Sequence, residues 1–330
     1  MSAFALPRSR HHSIFVRVSM LAILGLPISA CSTLTSTTST ASLTPEIEPP
    51  TVALVLGGGG AKGFAHVGVI KALEEQGITP TLIVGTSVGS LVGSLYASGY
   101  TPSQLEQLAL TTADSELTDF VLSNQGFVEG IKLKNFINNK VGGRAIESFP
   151  IRFAAVAAEK NTLTKAVFTT GDAGLAVQAS CSIPNIFIAP RIPETVGKKY
   201  IDGGVVSLVP VDSARDLGAD IVIAVDVTTP SSNSSTSSMN NMPTLNSISS
   251  VWGFFENSIA TQPTTNRTSA MRQERDRADI VITPDVGHIS SIDTKQRRAL
   301  ITAGTQATTP QIAAIKQLIK QKSQSKYATL

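Results

Sequence analysis

The chain alternates short, wholly apolar runs with stretches whose apolar residues recur every three or four positions. Val52-Ala53-Leu54-Val55-Leu56 is a continuous β-type run and reads as a buried parallel strand. After a run of glycines, Phe64, Val67, Ile70 and Leu73 recur at helical spacing, with Glu74, Glu75 and Gln76 on the wet face and Gly77 as the stop. Leu82-Ile83-Val84 is a second buried strand, and Leu91, Val92 and Leu95 open the helix behind it. Thr101-Pro102-Ser103-Gln104 spells a capped start for the next helix.

Residues 113–150 are polar and mixed, with a short helix expected over 131–140 and a cap over a site as one use of the segment. The β-α alternation then resumes. Strands are predicted over Ile151 to Ala158 and Lys165 to Thr169, a helix over Asp172 to Ala179, and a break at Ser182-Ile183-Pro184. A helix over Pro210 to Leu217 precedes a strong strand from Ala219 to Val227. Residues 230–247 are rich in Ser, Thr and Asn without a core pattern and read as an exposed loop. A long segment from Val251 to Arg277, a late strand from Ala278 to Thr283 and a last helix capped at Ser291-Ile292-Asp293 and running to about residue 318 complete the chain. Repeated β-α units imply an α/β fold, a parallel sheet with helices on both faces.

The first thirty residues stand apart. Arg8, Arg10 and Arg17 form a basic region, Val18 to Leu26 a short apolar one, and Ser29-Ala30 precede Cys31. That order predicts a secretory signal peptide over 1–30. Ile28-Ser29-Ala30-Cys31 resembles the lipobox of bacterial lipoproteins, which implies a lipidated Cys31. Residues 31–50 are polar, carry three prolines and lack periodicity, as in a disordered tether. Ser32 is not the Asp linked to inner-membrane retention. The resemblance therefore implies the bacterial cell envelope, with the protein on the periplasmic side of the outer membrane. The domain that remains is 51–330.

Charge excludes some partners. The leader carries three of the 27 basic residues and none of the acidic ones, leaving 24 of each. A near-neutral chain without a long charge run gives no footprint for nucleic acid. Its 42% apolar content suits a globular core. Cys31 and Cys181 are the sole cysteines, and a lipidated Cys31 leaves no disulfide within the chain. Cys181, in an apolar neighbourhood, reads as a buried structural thiol. No cofactor or metal is expected.

Three motifs carry candidate chemistry. The first is Gly85-Thr86-Ser87-Val88-Gly89, a G-x-S-x-G between strand and helix. Small residues at Gly85 and Gly89 let the two elements pass closely, and the turn presents the Ser87 hydroxyl as a nucleophile elbow. The second is the loop Gly57-Gly58-Gly59-Gly60-Ala61-Lys62-Gly63, at a helix N-terminus. A dinucleotide site would want an acid at the end of the next strand, and a phosphate loop would want Ser or Thr after Lys62. Neither is there. An oxyanion hole needs only backbone N–H donors beside the serine, and parallel strands bring this loop and Ser87 to one sheet edge. The third is Asp202-Gly203-Gly204, an Asp-Gly turn whose glycines let the carboxylate face inward.

A serine nucleophile needs a base. Outside the leader only His66 and His288 exist. His66 reads as a helix-face residue. Ser87, Asp202 and His288 would follow the order of a hydrolase triad. Alternatively Asp202 accepts the proton itself, given a burial that raises its proton affinity.

Together the three motifs resemble the patatin-like phospholipase family, from about Val52 to Val227. The resemblance implies a three-layer α/β/α fold with a mainly parallel central sheet. It implies a Ser87–Asp202 dyad, an oxyanion loop over Gly58, Gly59, Gly60, Ala61, Lys62 and Gly63, and calcium-free hydrolysis of fatty-acyl esters of lipids. It argues against His288 as the base. The competing class is a lipid- or envelope-binding lipoprotein that keeps the fold without turnover.

Overall fold

A computed structural model of the chain describes residues 49–123, 125–229 and 265–328. The expected signal over 1–30, Cys31, the tether up to residue 48 and the loop over 230–247 lie outside the described residues.

The sheet is built from β1 (Val52–Leu56), β2 (Leu82–Thr86), β3 (Arg152–Glu159), β4 (Lys165–Phe168), β5 (Arg191–Ile192), β6 (Lys198–Asp202), β7 (Ile221–Val225) and β8 (Ile280–Ile282). Their order across the sheet is β5-β6-β3-β2-β1-β7-β8, with β4 also paired to β3. From β3 through β8 every neighbouring pair on that path is parallel. β6 and β4 run antiparallel to β3, and β5 antiparallel to β6. The sheet is therefore mostly parallel with an antiparallel margin.

The crossovers are α1 (Phe64–Glu74), α2 (Val88–Ala97), α3 (Pro102–Thr111), α4 (Asp114–Leu117), α5 (Ile131–Lys140), α6 (Ala173–Ser180), α7 (Val211–Asp216), α8 (Thr265–Asp276), α9 (Arg297–Thr308) and α10 (Ile312–Ala328). Alternate strand residues face opposite layers. Leu54, Leu56, Ile83, Phe153 and Ile223 join one core with Ile70, Leu95, Val177 and Leu300 from the helices. Ala53, Val55, Val84, Ala154 and Val222 join the other with Val211 and Ala214 of α7. That is the expected α/β/α layering, with most of the helical mass on the first face.

Local signals behave as the sequence indicates. Thr101 caps α3 through the Gln104 N–H while the Gln104 side chain reaches back to the Thr101 N–H, a reciprocal box. Asp172 caps α6 by accepting the Leu175 N–H at 2.7 Å. One expectation changes. The single terminal helix becomes α9 and α10, joined by a tighter turn over Thr309–Gln311. Pro310 lacks the N–H a continuous helix would use there. Within 113–150, α5 forms where expected. Its orphan N–H groups at Ile131 and Lys132 are met by the Asp119 carboxylate. Phe127 and Val128 both donate to the Ile186 carbonyl, which ties this segment to the chain after α6.

Candidate active site

Ser87 sits between β2 and α2 at φ 54° and ψ −127°, a region non-glycine residues seldom occupy. Close passage of the two flanking elements enforces the turn. A Cβ on Gly85 would lie 2.5 Å from the Gly89 backbone, and one on Gly89 would overlap the Leu56 carbonyl oxygen. Both ends of the residue are held. Its N–H donates to Ser180 Oγ at 2.9 Å, and its carbonyl accepts the Ser90 hydroxyl at 2.7 Å. Ser87 is 6% exposed.

Asp202 ends β6, in register with Ala157 of β3, one residue beyond the Val156 that pairs with Thr86. Two strand neighbours thus bring residues 115 positions apart to one edge of the sheet. The Asp202 N–H donates to the Ser182 carbonyl at 2.8 Å, and Oδ1 accepts the Gly204 N–H at 2.7 Å. Oδ2 is buried without a partner. Gly203 lies against the Val156 carbonyl, where a Cβ has no room. Burial pushes the Asp202 carboxyl up to about 6, while the nearby Ser87 hydroxyl and the Gly204 amide pull it back. Asp202 thus lies one strand from the Ser87 turn, with Oδ2 buried and uncommitted.

The glycine loop closes the third side. A Cβ on Gly58 would touch the Ser87 Cβ at 3.4 Å, and one on Gly63 would overlap the Val88 side chain. The Gly57, Gly58 and Ala61 N–H groups donate to the carbonyls of Val225, Leu208 and Ser291. Gly60 occupies the left-handed region at φ 59°. Among the described residues, the N–H groups of Gly59 and Gly60 have no acceptor. Lys62 is buried in the same turn. The loop thus passes Ser87 at Gly58 and leads through this turn into α1.

Residues 207 and 208 tie the three motifs together. The Ser207 carbonyl accepts the Thr86 hydroxyl at 2.9 Å, its N–H donates to the Gly203 carbonyl, and Leu208 accepts from Gly58. The two histidines part company. His288 is exposed on the loop after β8. His66 is fully buried on α1, where Nε2–H donates to the Gly57 carbonyl at 2.8 Å. Burial pushes its pKa down to about 4. It is thus a helix-face residue turned inward, an internal prop of the loop. Cys181 is buried, with Sγ 3.9 Å from Ser90 Oγ, and burial raises its thiol pKa. Among the described residues no cluster of His, Cys, Asp or Glu is able to hold a metal. Sequence reading missed Ser180 and Ser90, because a serine at a helix end carries no spacing that links it to a strand-turn motif.

Residues 54–215 match the patatin-like phospholipase family. Those residues are a patatin-like phospholipase domain. An uncharacterised NTE family protein of Mycobacterium tuberculosis is 36% identical over 184 residues, which are 54% of this chain and 49% of that protein. Patatin-like phospholipase domain-containing protein 6 of Homo sapiens is 33% identical over 183 residues, 54% of this chain but 13% of the human protein. The chain thus spans about half the length of the mycobacterial relative and far less of the human one. Among solved structures, VipD from Legionella pneumophila superposes with a TM-score of 0.55 over 81% of this chain and 67% of its own, at 13% identity. That likeness shows the shared fold.

Proposed function

We propose that this patatin-like domain, residues 51–330, is a serine acyl hydrolase that cleaves fatty-acyl esters of lipids through a Ser87–Asp202 dyad. The observation that carries the reading is the pairing of a strained, doubly tethered serine with a buried carboxylate that has one oxygen free. Ser87 Oγ attacks the ester carbonyl while Asp202 accepts its proton. A carboxyl near 6 is a far better base than an ordinary aspartate, yet still ionised at neutral pH. The Gly59 and Gly60 N–H groups face the developing oxyanion, with Gly58, Ala61, Lys62 and Gly63 holding the loop in shape. Such preorganised donors are commonly the largest catalytic contribution. Collapse expels the alcohol, which takes the proton from Asp202. Water then gives its proton to Asp202 and attacks the acyl-serine. The fatty acid leaves and the proton returns to Ser87.

The exposed position of His288 supports a dyad over a triad. The intact dyad supports turnover over lipid binding alone. We further propose lipidation at Cys31 after removal of residues 1–30, with the chain held at the periplasmic face of the outer membrane. Loss of labelled-palmitate incorporation in Cys31→Ala tests that anchor.

Release of fatty acid from phospholipid vesicles tests the activity. Ser87→Ala and Asp202→Asn should each lose activity by at least ~10³-fold, and His288→Ala by less than about threefold. A dead His288→Ala beside an active Asp202→Asn would replace the dyad by another base.

A further inference from the structure

We propose that Ser180 is a positioning residue, and that the turn Ser180-Cys181-Ser182 is a mount that sets the spacing between Ser87 and Asp202. The inference rests on the dyad reading above. Ser180 is fully buried at the last position of α6. Its hydroxyl does two things at once. It accepts the Ser87 N–H at 2.9 Å and donates to the Val156 carbonyl at 2.6 Å. A hydroxyl has one proton to give, and here it goes to the sheet, so the lone pairs are left for the elbow.

The geometry needs such a partner. Ser87 at φ 54° turns its N–H out of the β2 ladder and away from α2, whose first N–H groups lack acceptors in any case. A buried N–H without an acceptor would relax the elbow toward an ordinary turn. Two residues along, the Ser182 carbonyl accepts the Asp202 N–H at 2.8 Å. The same Val156 carbonyl that receives Ser180 packs on Gly203. One turn and one strand carbonyl therefore hold the nucleophile by its backbone on one side and the carboxylate by its backbone on the other. Between them Cys181 fills the space beside Ser90 and Ser87.

Ser180→Ala deletes the bridge and adds no atoms. Loss of a sub-ångström constraint on a reacting atom predicts a fall in kcat of ~10- to 100-fold with KM changed less than about twofold. The rate of labelling by a fluorophosphonate should fall by a similar factor. Ser94→Ala is the comparison. Ser94 is as buried, and its hydroxyl donates to the Leu91 carbonyl within α2. A merely structural loss would act on both variants alike, so Ser94→Ala should label within about threefold of the unaltered protein. Ser180→Cys leaves no cavity but offers a larger and weaker acceptor, and should move in the same direction as Ser180→Ala. Unaltered labelling and kcat in both Ser180 variants, with Ser87 labelled in the parent, would overturn the mount alone. Absence of Ser87 labelling in the parent would remove the dyad and the mount together.

Discussion

His66 lies directly beneath Gly57, its Nε2–H given to the Gly57 carbonyl and its Nδ1 buried without a partner. A carbonyl only accepts, so Nε2 carries a proton, and burial that pushes the pKa down to about 4 leaves Nδ1 bare and the ring neutral at pH 7. The histidine fixes the first residue of the glycine loop from inside the protein, and its charge state is set by the fold.

Acid stability follows from His66 and Asp202 together. His66 has its pKa lowered from 6.5 to about 4, so the unfolded chain binds a proton in that window and the native chain does not. Its contribution, on the order of 3 kcal/mol, is complete above pH 6.5 and is lost as pH falls toward 4. Asp202 has its pKa raised from 3.8 to about 6, so its native state binds the extra proton and gains stability as pH falls across that range. The two slopes oppose each other. Asp202→Asn should therefore show a steeper fall in Tm between pH 6.5 and 4 than the parent, measured by thermal melts at matched ionic strength.

The same carboxylate is costly when charged. At pH 7.5 Asp202→Asn should be more stable than the parent by up to about 3 kcal/mol, a rise of several degrees in Tm, while its hydrolytic activity is lost. Denaturant unfolding at pH 7.5 checks the sign. A less stable Asn variant would mean that the Asp202 charge is compensated in the native protein.

Activity should titrate with the base. In the proposed dyad only ionised Asp202 takes the serine proton, so kcat/KM should rise through about pH 6 and level above it. A pH-rate profile on a soluble p-nitrophenyl ester measures this. A midpoint near 4 would place Asp202 in an ordinary aqueous setting.

Gly60→Ala puts a Cβ on a left-handed residue at the loop's free donors. The backbone cost is ~1–2 kcal/mol, and any relaxation turns the Gly59 and Gly60 N–H groups. A fall in kcat of ~10- to 1,000-fold with little change in KM is expected in steady-state kinetics.

Much of the fold was legible because its central strands are apolar and helices such as α3 and α6 start at recognisable caps. β1, β2, β3 and β7 fall where continuous Val, Ile, Leu and Ala runs predict them. β5 and β6 were not foreseen, because Lys198-Lys199-Tyr200 lacks the apolar pattern of a buried strand. The site's three motifs were readable since each needs glycine at fixed offsets. What holds them was not. Ser180, Ser90, Ser207 and His66 act through a few hydrogen bonds each, set by tertiary placement, and such bonds leave no periodic trace in the chain.

The most direct measurement of the central claim is intact-protein and peptide mass spectrometry after exposure to a fluorophosphonate. A single adduct on the Ser87 peptide, absent from Ser87→Ala and slowed by at least ~10²-fold in Asp202→Asn, is the expected result. An adduct that persists in Ser87→Ala, or forms equally fast without the Asp202 carboxylate, would contradict the dyad.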